Sequence, residues 1–126
     1  MRTVLIVDPD LGFLLWLGQL LADAGYCCLP ALTVQEATTL IGTLNLTVDL
    51  LIIDPTVAGA AGFVRALRRE RYVGVIAVIT SMTELDVGMR GVDAVRSRHT
   101  TADQLDASEW LRTIGHLLAN PAVPKH

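Results

Sequence analysis

The segment Thr3-Val4-Leu5-Ile6-Val7-Asp8-Pro9-Asp10 sets an uninterrupted apolar run against an acidic turn. Apolar runs of this length read as strands buried on both faces, which is the habit of parallel sheets. The pattern recurs at Leu50-Leu51-Ile52-Ile53-Asp54. In an open parallel sheet, ligands and chemistry gather outside the carboxyl ends of the strands. Asp8, Asp10 and Asp54 are therefore expected at one edge. Three carboxylates gathered there have two common uses: to hold a hard cation such as Mg²⁺, or to present one carboxylate as a nucleophile. Pro9 separates the first two acids.

Outward from these runs, strand and helix patterns alternate five times. Strands are expected over Thr3–Val7, Cys27–Leu29, Leu50–Ile53, Val73–Ile79 and Ala94–Ser97. Helices are expected over about Leu11–Ala24, from Thr33 to Leu44, and over Phe63–Glu70, Glu84–Arg90 and Ser108–Ala119. Gly25 suits the residue after a helix C-cap. Thr33-Val34-Gln35-Glu36 reads as a capping box. Repeated βα units with short connections imply right-handed crossovers, a parallel sheet and helices on both of its faces.

With 126 residues the chain suits a single well-buried core. Residues 1–120 read as one domain and 121–126 as a frayed tail. Apolar residues make up 52% and mean hydropathy is +0.47. The uncharged apolar stretch Leu11–Ala22 falls short of the about 20 residues that span a bilayer, and it follows an acidic turn, unlike a signal peptide. A net charge of −3 gives no electrostatic reason to expect nucleic-acid binding. The two cysteines, Cys27 and Cys28, are strand neighbours that point to opposite faces, so they make no disulfide framework; a reducing cytoplasm is the expected setting.

Several spacings together resemble the receiver domain of two-component response regulators, over nearly the whole length. A first strand ends in an acid at Asp8. The third strand ends at Asp54, and Gly62 follows at the spacing of the glycine that starts the next helix. Thr80-Ser81 closes the fourth strand, Gly91-Val92-Asp93 precedes the fifth, and Arg98 stands where the family has a lysine. The resemblance implies a doubly wound, flavodoxin-like sheet of five parallel strands in the order 2-1-3-4-5, an order for which the fold class is known through a receiver. It implies a signalling module rather than an enzyme, read here as stand-alone, with Asp54 as phosphoacceptor. Mg²⁺ would be held by Asp8, Asp54 and the backbone carbonyl of Thr56. Thr80, Ser81 and Arg98 would face the phosphoryl oxygens.

The departures from the family pattern carry their own expectations. The family's second acid is replaced by Pro9, which offers no side-chain ligand and should weaken Mg²⁺ binding. Asp10 is a substitute metal ligand by position, yet it also sits where the N-cap of the first helix belongs. Arg98 is not interchangeable with a lysine point charge. His99 replaces a proline, Val95 an aromatic residue, and the stretch from Thr80 to Gly91 is about a turn short. These features leave a second reading open, a pseudo-receiver that binds partners or dimerises without phosphate. A flavodoxin-like enzyme is disfavoured because no phosphate loop follows the first strand. His99, His116 and His126 have no ligand spacing with the cysteines, so zinc is not expected.

The first helix carries no charge from Leu11 to Ala22. Phe13, Trp16, Leu17, Leu20 and Ala24 are expected to face inward. Leu11, Leu14, Leu15, Gly18 and Ala22 are expected to face outward as an apolar contact surface. The resemblance implies a histidine kinase or phosphotransfer protein as the partner there; a homodimer is the other occupant.

Overall fold

A computed structural model describes residues 2–44, 47–70, 73–80, 92–97 and 107–119. The elements run β1 (Thr3–Val7), α1 (Leu11–Asp23), β2 (Cys27–Ala31), α2 (Val34–Leu44), β3 (Val48–Ile53), α3 (Ala60–Glu70), β4 (Val73–Thr80), β5 (Ala94–Ser97) and α4 (Ala107–Ala119). The strands form one sheet in the order β2-β1-β3-β4-β5, with every neighbouring pair parallel. The helix expected at 84–90 and the tail 121–126 lie outside the described residues.

Side-chain alternation along the central strands divides the core into two layers. Leu5 and Val7 of β1, with Leu51 and Ile53 of β3, join Ala37, Ile41, Phe63, Val64 and Leu67 from α2 and α3. Val4 and Ile6, with Leu50 and Ile52, join Phe13, Leu14, Leu17 and Leu21 of α1 and Trp110, Ile114, Leu117 and Leu118 of α4. Each strand residue is therefore covered whichever way it points, which is why the runs carry no polar alternation. Full burial of each large side chain contributes about 1.5–3 kcal/mol.

Helix ends follow local chemistry. The Thr33 hydroxyl accepts from the Glu36 N–H at 3.1 Å, while the Glu36 carboxylate reaches back to the Leu32 N–H at 2.8 Å, one residue earlier than the usual capping-box partner. At the end of α1, Gly25 takes φ 97°. Its N–H donates to the Ala22 carbonyl, and the Tyr26 N–H donates to the Leu21 carbonyl. This double return satisfies carbonyls the helix leaves open and requires a left-handed residue where glycine stands. The last turn of α4 is tied to the start of β1 by the Arg2 guanidinium, 3.2 Å from the Leu118 carbonyl. The sheet edge formed by β2 carries an exposed proline, Pro30.

α1 is turned differently from the sequence expectation. Leu14, expected outside, is only 2% exposed, and Leu21 is fully buried. Trp16, expected inside, is 37% exposed, and Ala24 is also exposed. The physical reason is the neighbour: α4 lies beside α1, and Trp110 takes the space against Phe13, with ring centroids 5.7 Å apart. Trp16 is left at the rim, edge-on to Trp110 at 6.5 Å. Gly18 is half-buried, and a side chain there would meet Cys28 Sγ at 3.7 Å.

Candidate functional site

The site forms where β1 and β3 end side by side. Val7 and Ile53 are register partners, and the Asp54 N–H donates to the Val7 carbonyl at 3.0 Å. On the other side of β1, the Asp8 N–H donates to the Ala31 carbonyl at 3.1 Å. Two more strand-like hydrogen bonds thus carry the ladder past the last strand residues and fix both acids on adjacent strand ends. Asp8 is 2% and Asp54 1% exposed. Carboxylates are rarely buried this far unless hydrogen-bonded or matched to a cation.

Each has its donors. Asp8 Oδ1 accepts from the Asp10 N–H at 2.8 Å, closing the turn across the exposed Pro9. Asp54 Oδ1 accepts twice from Thr56, from its N–H at 2.8 Å and its hydroxyl at 2.7 Å. The chain then turns through the Val57 N–H, which donates to the Asp54 carbonyl, and through Gly59 at φ 80°. α3 begins at Ala60, so Gly62 lies inside the first turn of the helix rather than at its start.

Asp10 departs from the expected triple acid. Its side chain accepts from the Phe13 N–H at 3.2 Å and so caps α1. Among the described residues, no three His, Cys, Asp or Glu side chains gather into a metal-holding group. Asp8 and Asp54 remain. Mg²⁺ is commonly bound through one or two carboxylates while keeping several waters, so this pair of hard oxygen donors is of the kind that ion takes. Thr80 closes β4 at the same end of the sheet, opposite Ser97 in register. Ser81, Arg98 and His99 lie outside the described residues.

On α1, Leu11 and Leu15 are 53% and 58% exposed. The expected contact surface keeps these two and loses Leu14. No helix among the described residues is long and apolar enough to cross a membrane.

No family model matches the chain. No curated protein matches it either. Solved structures do. A response regulator from Thermotoga maritima superposes with a TM-score of 0.75 at 18% identity, covering 94% of this chain and 98% of that one. A CheY-like response regulator receiver domain protein from Methanospirillum hungatei JF-1 gives 0.77 at 20% identity, covering 95% of both chains. The beryllofluoride-activated NtrC4 receiver domain dimer gives 0.77 at 21% identity, over 95% of this chain and 98% of that one. With β1 and β3 each delivering a buried aspartate to one end of the sheet, the chain has the fold of a response regulator receiver domain.

Proposed function

We propose that the chain is a receiver-type module of two-component signal transduction, in which Asp54 accepts a phosphoryl group. The observation that carries this reading is the pair of buried carboxylates, Asp8 and Asp54, on adjacent strand ends of a receiver fold. An aspartate nucleophile held at a strand terminus needs its neighbours to position the donor and offset charge. A bound Mg²⁺ would neutralise charge on the phosphoryl oxygens. Asp8, Asp54 and the Thr56 carbonyl are the residues that would hold it, with Asp10 engaged at α1. Thr80, Ser81 and Arg98 are proposed to receive the phosphoryl oxygens. The phosphodonor is a histidine kinase or phosphotransfer protein, docking on the α1 surface at Leu11 and Leu15 beside Gly18. The module acts as a switch rather than as an enzyme.

The test is a small-molecule phosphodonor with Mg²⁺, read by intact mass. The chain should gain one phosphoryl group, and Asp54→Asn should gain none. An unchanged gain in Asp54→Asn would place the chemistry on another residue. Absence of any gain in the native chain would favour the second reading, a phosphorylation-independent pseudo-receiver acting through protein contacts or dimerisation. Pro9 at the position of a metal-binding acid is the observation that supports that alternative.

A further inference from the structure

Thr56 stands out because its side chain does something its position alone does not require. The backbone N–H of Thr56 already closes the turn onto Asp54 Oδ1 at 2.8 Å. The hydroxyl adds a second donor to the same oxygen at 2.7 Å. A carboxylate oxygen offers about two lone-pair sites, so these two donors engage both sites of Oδ1. A cation reaching that oxygen must displace one of them. The backbone N–H is fixed by the turn that leads into α3, whereas the hydroxyl belongs to an exposed residue and can rotate away.

We infer that the Thr56 hydroxyl is an internal competitor for the divalent cation at Asp54 Oδ1, and so sets the cation affinity of the site. This rests on the reading that Asp8 and Asp54 form the cation site. Thr56 then plays two opposed parts. Its carbonyl is a proposed ligand, and its hydroxyl holds the neighbouring carboxylate in a metal-free arrangement. It is a positioning residue: it acts through Asp54. The contact adds a second reason, beside Pro9, for weak cation binding at Asp54.

The experiment is titration with Mg²⁺ alone, followed through the backbone amide NMR signals of Asp8, Asp54 and Val57. It uses the native chain, Thr56→Val, Thr56→Ala and Thr56→Ser. No phosphodonor is present, so failure of the phosphoacceptor reading leaves the measurement intact. A hydrogen bond to a charged group has a net worth that corresponds to at least about tenfold in binding. Thr56→Val and Thr56→Ala should therefore bind Mg²⁺ at least about tenfold more tightly than the native chain, and Thr56→Ser should return to the native value. Melting curves without metal should show all four proteins folded, because the substituted side chain is exposed. Equal or weaker binding by the valine and alanine variants overturns the inference, as does binding by the serine variant that matches valine. Absence of Mg²⁺ binding in every protein overturns it too, since the hydroxyl would then not be what keeps the cation away.

Discussion

Leu14 and Leu15 are adjacent, chemically identical and helical, yet the structure gives them opposite environments: 2% against 58% exposed. Truncating each to alanine is therefore a controlled test of how α1 is turned. Leu14 belongs to the apolar layer of Val4, Ile6, Leu17, Leu21 and Ile114. Leu14→Ala loses the transfer free energy of the removed groups and leaves a partly uncollapsed cavity, together about 3 kcal/mol. Leu15→Ala removes a side chain that is mostly in water and should cost under about 0.5 kcal/mol. For a domain of this size the first change should lower the melting temperature by roughly 12 °C and the second by at most about 2 °C. Urea unfolding followed by tryptophan fluorescence checks both, because Trp16 and Trp110 sit beside the affected layer. Costs within about 0.5 kcal/mol of each other, or a larger cost at Leu15, would refute the orientation of α1 and with it the proposed contact surface.

Other expectations follow from single contacts. Pro9→Asp restores a carboxylate beside Asp8 and should tighten Mg²⁺ binding about tenfold, or about 1.4 kcal/mol, by calorimetric titration; equal affinity would show that Asp10 or water already serves. Leu15→Lys should leave the melting temperature unchanged while weakening association through α1, measured by light scattering or by pull-down with a kinase partner; unchanged association with both would move the contact elsewhere. At Gly74, an added Cβ would lie 3.0 Å from the Asp49 carbonyl oxygen, a backbone atom in the adjacent strand, so Gly74→Ala should cost about 1 kcal/mol or more in urea unfolding. Burial, and then the neighbouring Cys27, push the Cys28 thiol from 9.0 up to about 11. The folded state thus keeps a proton that the unfolded state loses first. That stabilisation is complete below about pH 9 and disappears as pH rises through about 11, and Cys28 should resist alkylation at pH 9 until the chain is unfolded, as mass mapping would show.

The apolar runs of β1 and β3 were legible because four consecutive apolar residues, Val4–Val7 and Leu50–Ile53, closed by an acid and a turn, suit a short strand buried on both faces. Their terminal acids could be placed from the same argument. The capping box of α2 and the glycine turn after α1 were equally readable, since each depends on residues within one turn of sequence. The inward face of α1 was not. A helix without a charged side chain from Leu11 to Ala22 has no polar stripe to mark its outside. The expected stripe and the observed one share Phe13 and Leu17 but differ by a rotation of about 60° at 100° per residue. What decides the rotation is Trp110, nearly a hundred residues away in sequence. Asp10 was correctly placed as a cap because the N-cap position is local. The resemblance assigns Thr56 through its backbone carbonyl, which says nothing of its hydroxyl. The Asp-Pro-Thr spacing, which suits a side-chain-closed turn, was the available signal.

One proline limits how this molecule can grow. In β2 the Cys27 N–H and the Ala31 carbonyl both point toward β1. Because successive residues of a parallel strand address opposite neighbours, Cys28 and Pro30 are the positions turned to the open side. Pro30 has no N–H to offer there. An incoming strand would find one of the two outward donors missing and a pyrrolidine ring in its path. Fibrillar stacking through this margin is disfavoured by construction, and replacing Pro30 with valine would supply both the missing donor and a strand-forming side chain. Any oligomer built on this side of the molecule must be made by side chains of the helices, where solvent can still dissolve it, rather than by unlimited extension of the backbone ladder.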